Sequence, residues 1–157
     1  MVYQRRENYG PEVPQGGILL TCGVDIHPDR IEAGVIAWGL GQESWSIAHE
    51  IFYGPTNDEE IWNQLDELIS QDFPHVSGVA MRITATCIDS GNQTQSVYNF
   101  VLPRQVRRIY ATKGSSMSKQ PVVGRPNKKG VAPVKIFPIG TDTAKDIIFG
   151  RLKMEKP

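Results

Sequence analysis

The run Leu19-Leu20-Thr21-Cys22-Gly23-Val24-Asp25-Ile26 is apolar, strand-like and carries a single carboxylate near its far end. Short apolar segments bounded by turn residues are the signature of buried strands. This one lies between Pro14-Gln15-Gly16-Gly17 and His27-Pro28-Asp29-Arg30. A carboxylate is costly to desolvate without a compensating positive charge, so Asp25 belongs at an exposed turn or beside a cation. Alone, the run fits a turn-forming Asp ahead of a hairpin equally well. A second run of the same design, Ile83-Thr84-Ala85-Thr86-Cys87-Ile88-Asp89-Ser90-Gly91, ends in Asp89 among small residues and shifts that balance.

Outward from the first run, residues 1–17 are polar and rich in Pro and Gly, which predicts a linker or an irregular N-terminal arm. After it come two more strands, residues 30–39 and 43–53, joined tightly at Leu40-Gly41, so that residues 19–53 form an antiparallel meander. Asn57 with Glu60 three residues on matches a capping box, with Asp58 and Glu59 suited to a helix N-terminus. Ile61, Leu65, Leu68, Ile69 and Phe73 supply one apolar stripe, ended by Pro74. Beyond the second Asp-terminated run, a helix starts near residues 92–94, with Val97, Tyr98 and Val101 on one face and Pro103 as its interruption. Residues 109–112 form a further strand. Residues 115–133 hold Lys119, Arg125, Lys128 and Lys129 and no acid, which predicts a long exposed loop. Residues 134–139 read as a last strand, or as an edge segment given Pro138. Thr141 or Asp142 caps a final helix with Ala144, Ile148 and Leu152 as its buried stripe.

The 157 residues are 39% hydrophobic and 22% charged, enough for one domain with a substantial core. No apolar segment approaches the roughly 18 residues of a membrane span, and the first residues lack the apolar core of a secretory signal. Cys22 and Cys87 both fall inside predicted strands and have no metal-type spacing, so both are expected to be reduced core thiols. The net charge of zero conceals a division. Residues 1–90 hold 14 of the 17 acidic and 4 of the 17 basic residues, net −10, while residues 91–157 hold 3 acids and 13 bases, net +10. Such a division suits an anionic partner for the basic half or cations for the acidic half. Two halves that neutralise each other across one fold would show the same division.

The order β-β-β-α-β-α-β, opening on a meander, describes a ribonuclease H-like α/β architecture, a mixed sheet with flanking helices. In it strands one and four run side by side and parallel, which brings Asp25 and Asp89 together at their C-terminal ends. Two adjacent carboxylates repel unless a divalent cation is shared. Mg²⁺ is held through one or two carboxylates plus water and phosphate oxygens, so the pairing implies metal-assisted phosphodiester cleavage by Mg²⁺ or Mn²⁺. Other chemistries lack their residues. Lys113-Gly114-Ser115 inverts the order of a phosphate-binding loop, His27, His49 and His75 are scattered, and there is no Gly-x-Ser-x-Gly elbow.

Cys22-Gly23-Val24-Asp25, Gly41-Gln42-Glu43-Ser44-Trp45, Cys87-Ile88-Asp89-Ser90-Gly91, Lys113-Gly114-Ser115 and residues 139–145 (Ile-Gly-Thr-Asp-Thr-Ala-Lys) together resemble the large terminase subunit of lambda-type tailed phages, the GpA family. The resemblance implies a nuclease domain over residues 18–157 that cuts concatemeric double-stranded viral DNA during packaging, in the cytoplasm of the bacterial host. It further implies an upstream ATPase domain of the same polypeptide, a small terminase subunit and a portal as partners, with no membrane. Such nucleases carry a third acid near the start of a late helix. Asp142 and Asp146, at i and i+4 on one helix face, are the candidates here. The family pattern puts this acid further downstream, which would leave Asp142 as an N-cap or outer group, the chain truncated at its C-terminus, and a DNA-binding or assembly domain with an incomplete site as the alternative function. The expected metal ligands are therefore Asp25, Asp89 and Asp142. Lys113, Lys119, Arg125, Lys128 and Lys129 are the expected DNA-binding residues: Lys113 would touch the scissile phosphate and the loop bases would track the flanking backbone.

Overall fold

Leu20, Cys22, Val24 and Ile26 are buried and Leu19, Gly23 and Asp25 are exposed, so Leu19–Ile26 is a strand (β1) with one covered and one open face. The computed structural model describes residues 8–128 and 134–153. A turn in which the His27 N–H donates to the Arg30 carbonyl at 3.0 Å returns the chain into β2, Arg30–Trp38, where Ile31, Ala33, Val35 and Ala37 continue the covered face. β3, Ser44–Tyr53, completes the expected antiparallel meander.

Helix α1, Glu59–Ser70, lays Ile61, Trp62, Leu65, Leu68 and Ile69 on that covered face. Its N-cap is Asp58, not the expected Asn57: Asp58 has the extended backbone a cap needs, and its carboxylate accepts from the Glu60 N–H at 3.2 Å. A two-strand ribbon, β4 Phe73–Pro74 and β5 Ala80–Met81, leads into β6, Ile83–Asp89. Helix α2, Thr94–Val101, buries Val97, Phe100 and Val101 and passes at Pro103, which has no N–H to donate, into a 3₁₀ turn over Leu102–Arg107. Then follow β7 Ile109–Gly114, β8 Asn127–Lys128, β9 Lys135–Ile139 and helix α3 Thr141–Leu152.

The described strands make a seven-stranded sheet in the order β3-β2-β1-β6-β7-β9-β8. β1, β6, β7 and β9 are mutually parallel neighbours, while β2, β3 and β8 run antiparallel to theirs. This is the ribonuclease H-like mixed sheet expected from the element order, extended at one edge by β9 and the short β8.

Three details differ from expectation or refine it. Residues 8–17 form an irregular segment, but Val13 in it is fully buried and its backbone bridges Pro74 (2.7 Å) and Val76 (3.1 Å). The segment from Ser115 to Lys128 follows a defined path beside β9. Ser115 N–H bonds the Ile139 carbonyl and Gly124 N–H the Pro138 carbonyl, each at 2.8 Å, and Thr143 Oγ1 donates to the Gln120 carbonyl at 2.6 Å. Gly140 belongs to the same junction: a Cβ there would stand 2.5 Å from the carbonyl oxygens of both Gln120 and Pro121. Finally, α3 buries none of its residues. Ile148 and Leu152 of the expected stripe are exposed, as are Ile147 and Phe149, at between 41% and 59%. Three consecutive apolar residues, Ile147 to Phe149, fan around the helix at about 100° per residue, so no single face collects them. Nor is Asp142 the cap; Gly140 holds that position without a side-chain bond, and Asp142 lies in the first turn.

The two helices should therefore respond differently to truncation. Leu65→Ala, at a fully buried position, is expected to cost about 2–5 kcal/mol, whereas Ile148→Ala should stay within about 0.5 kcal/mol. Urea unfolding of the two variants checks this.

Candidate active site

β1 and β6 run parallel and in register through Val24 opposite Ile88, both on the helix-covered face. One residue further, Asp25 and Asp89 reach the ends of these central strands on the open face. Their strands are about 4.8 Å apart, the spacing of neighbours in a sheet. The Asp25 side chain is 59% exposed. Asp89 is half-buried, and its Oδ1 accepts the Gly91 N–H at 3.0 Å. Gly91 lets this carboxylate lie close to the backbone: a Cβ there would stand 3.2 and 3.4 Å from the two Asp89 carboxylate oxygens, which would have to give by a few tenths of an ångström. The residue between them, Ser90, is fully buried and clamps β6 to β7: its N–H and Oγ each reach the Thr112 carbonyl at 2.8 Å.

A carboxylate that the sequence reasoning missed lies beside Asp25. Glu32 on β2 stands directly opposite Asp25 in the antiparallel register. His27 Nε2 lies between them, 3.3 Å from Asp25 Oδ2 and 3.5 Å from Glu32 Oε1. The hydrogen bond from Arg30 Nε, 2.7 Å long, holds the Glu32 carboxyl below the usual carboxylate range and raises Arg30 in return. The signal was present in the chain: a tight turn at Pro28-Asp29 that pairs Ile26 with Ile31 must pair Asp25 with Glu32.

Neither Asp25 nor Asp89 bonds a Lys or Arg among the described residues; Asp25 has His27 beside it and Asp89 accepts the Gly91 N–H. No third His, Cys, Asp or Glu joins a group that could hold a metal among those residues, and Asp142 and Asp146 of α3 are exposed outside such a group. Of the expected DNA-binding residues, Lys113, Lys119 and Arg125 are exposed. Lys113 follows Thr112 at the same end of the sheet as Asp89, but strand alternation sends its side chain to the opposite face. Lys128 lies in β8, and Lys129 is outside the described residues. Arg104 and Arg107, neighbours of this basic segment in sequence, are engaged elsewhere. They bond the two Asp66 oxygens of α1 at 3.1 and 2.8 Å, and the Arg104 guanidinium lies 4.1 Å over the Phe100 ring.

The cysteines divide between the two faces. Cys22 is buried on the helix side, where burial first and then Cys87 push its thiol up to about 12. Cys87 is not the core thiol expected from the sequence: it is exposed on the open face, two residues before Asp89. Partial burial still raises it, so both thiols are protonated at neutral pH.

A mixed sheet in this strand order, with carboxylates ending its two central parallel strands on an open face, defines the chain as a ribonuclease H-like protein with an acidic site. The chain belongs to the family described as the terminase large subunit gpA endonuclease domain, whose model matches residues 1–157. It is 35% identical over 152 residues to the terminase large subunit of Escherichia phage lambda, covering 96% of this chain and 24% of that protein. To the terminase large subunit of Enterobacteria phage P21 it is 31% identical over 148 residues, 94% of this chain and 23% of that protein. The chain thus spans about a quarter of the length of either relative. No solved structure matches it. No helix among the described residues is long and apolar enough to cross a membrane.

The Glu32–Arg30 pair carries a pH dependence. A depressed folded-state value contributes stability that is present above the unfolded value and lost as pH falls through the folded one. Wild type should therefore be slightly more stable than Glu32→Gln at neutral pH, by the small amount typical of a solvent-exposed pair. That difference should vanish on acidification through the carboxylate range, as followed by thermal unfolding against pH.

Proposed function

We propose that this chain is a divalent-metal-dependent endodeoxyribonuclease domain that cuts concatemeric viral DNA within a packaging terminase. The observation that supports it most directly is the placement of Asp25 and Asp89 on adjacent parallel strands, on one open face, with no Lys or Arg paired to either among the described residues and His27 beside Asp25. The donor set suits Mg²⁺ or Mn²⁺, which are held through one or two carboxylates and otherwise by water and phosphate oxygens. Asp25 and Asp89 would hold the ions, with Asp142 of α3 as the proposed third acid. The chemistry gained on binding is two-metal in kind, easing deprotonation of the attacking water and stabilising the leaving oxygen.

The chain's own groups prepare this. The Gly91 N–H orients Asp89 through Oδ1, and His27 stands beside Asp25 and Glu32 at the rim of the same face. Lys113, Lys119, Arg125, Lys128 and Lys129 would bind backbone phosphates. The proposed setting is the bacterial host cytoplasm, with double-stranded DNA as substrate and an ATPase domain of the same polypeptide, a small terminase subunit and a portal as partners. A second reading, a DNA-binding or assembly domain with an incomplete site, is favoured by one observation: no group of three metal-type ligands forms among the described residues.

Asp25→Asn and Asp89→Asn should each lower Mn²⁺-supported cleavage at least 100-fold, roughly the upper range for loss of even an outer-shell partner, with thermal unfolding unchanged. If neither change lowers cleavage, the ligand assignment is wrong. If the wild type binds DNA and never cuts it in Mn²⁺, the second reading holds.

Neutralising Lys119, Arg125, Lys128 and Lys129 together should weaken binding to all DNA sequences alike. It should flatten the slope of log affinity against log salt by up to about 0.9 for each phosphate that the variant no longer neutralises. An unchanged slope would put the DNA elsewhere on the surface.

A further inference from the structure

The register across the open face sets five side chains in one row. Glu32 pairs with Asp25, Asp25 and Asp89 each come one residue after the last β1–β6 pair (Val24 with Ile88), Asp89 pairs with Thr112, and Thr112 pairs with Phe137. Tyr110 lies one step back on the same face, level with Cys87. The Tyr110 and Phe137 rings meet edge to face, centroids 5.2 Å apart at 65°. Their strand neighbours Ile109, Ala111 and Ile136 point into the helix-covered core, whereas these two rings are half-buried on the side that carries the carboxylates. Thr112, between Asp89 and Phe137, turns its hydroxyl back onto the Ile88 carbonyl at 3.2 Å.

We propose that Phe137, braced by Tyr110, is a stacking platform for one nucleobase beside the phosphodiester held at Asp25 and Asp89, so that the site takes DNA locally unpaired next to the cut. The proposal rests on the nuclease reading of the two carboxylates. Phe137 stands two strand spacings from Asp89, about 10 Å, a distance a nucleotide strand crosses within a residue or two. The exposed Lys119 and Arg125 lie on the segment that runs from β7 beside β9, so backbone phosphates have candidate partners beyond the rings. An edge-to-face pair occupies one face of one ring only, which leaves aromatic surface for a third ring. A base inside a duplex has both faces covered by its neighbours. It can meet Phe137 only by leaving the stack, and stacking on an aromatic side chain offsets that cost. Phe137 is on this account a positioning residue: it touches substrate away from the reacting atoms.

The test uses duplexes with 2-aminopurine at each position around the cut, fully paired or within a short mismatch, with Ca²⁺ for binding and Mn²⁺ for cleavage. The wild type should quench 2-aminopurine at one position beside the cut and cleave the mismatched duplex faster than the paired one. Phe137→Leu should lose the quench and the mismatch preference and raise KM about tenfold with kcat within about twofold. Phe137→Trp should restore all three. Thermal unfolding accompanies each variant, and if Phe137→Leu does not fold, Tyr110→Leu carries the same comparison. Quenching and mismatch preference unchanged in the leucine variant, or a fall in kcat at constant KM, would overturn the platform and leave the nuclease reading standing. A wild type that never cuts, yet quenches in a Phe137-dependent manner, would overturn the nuclease reading and leave the platform.

Discussion

The parallel pairing of β1 with β6 is the constraint on which the rest of this molecule depends. It is not a uniform ladder. Leu20 pairs with Ile83 but Thr21 pairs with Ala85, so Thr84 is an extra residue on β6. Without that irregularity Asp25 would stand level with Ile88, and Asp89 level with Ile26 on the helix-covered face. A one-residue shift exchanges the two faces of a strand. The single inserted residue therefore sets both carboxylates on the same side, and the flanking rows follow from it: Glu32 through the hairpin, Thr112 and Phe137 through β7 and β9.

Most of this sheet was legible because its strands obey local rules. Apolar runs bounded by Pro and Gly, with a buried residue at every second position, specify β1 and β2 directly. The repeated design ending in Asp25 and Asp89 was enough to pair them. Glu32 was missed although its position follows from the turn at Pro28-Asp29, because register was not carried across the hairpin. Other errors have other physical origins. Neighbouring Asn57 and Asp58 both have capping side chains, and the backbone conformation that chooses between them is not written in residue type. The stripe predicted for α3 was a periodicity without a partner. Apolar spacing states which face could be buried, and only tertiary packing decides whether it is. Cys87 was misplaced because an apolar run does not say which of its residues face the helices and which the open side.

Charge was legible as a total and misleading in detail. The basic half of the sequence suited an anionic partner or neutralisation by the acidic half. Arg104 and Arg107 cross to Asp66 and, for Arg107, Ser70 Oγ at 2.6 Å, fastening the turn after α2 to α1. Part of the opposite charge of the two halves is thus joined inside the fold, on the helix layer. Among the described residues the exposed bases of the second half include Arg108, Lys113, Lys119, Arg125 and Lys135 and three on or next to α3, Lys145, Arg151 and Lys153, so they are spread over several elements.

The strand order also separates the molecule by how easily its parts open. Backbone hydrogen bonds in the middle of a sheet are broken only in near-global unfolding, while elements with little buried surface open at little cost. β1 and β6 have neighbours on both sides and a fully packed face, so their amides belong to the slowest-exchanging class. α3 buries no side chain and joins the sheet chiefly through the junction at Gly140. Asp25 and Asp89 are thereby mounted on the central strands, while Asp142 and Asp146 ride on a helix outside the core, held near its ends by Thr143 on the Gln120 carbonyl and Arg151 on Gln42.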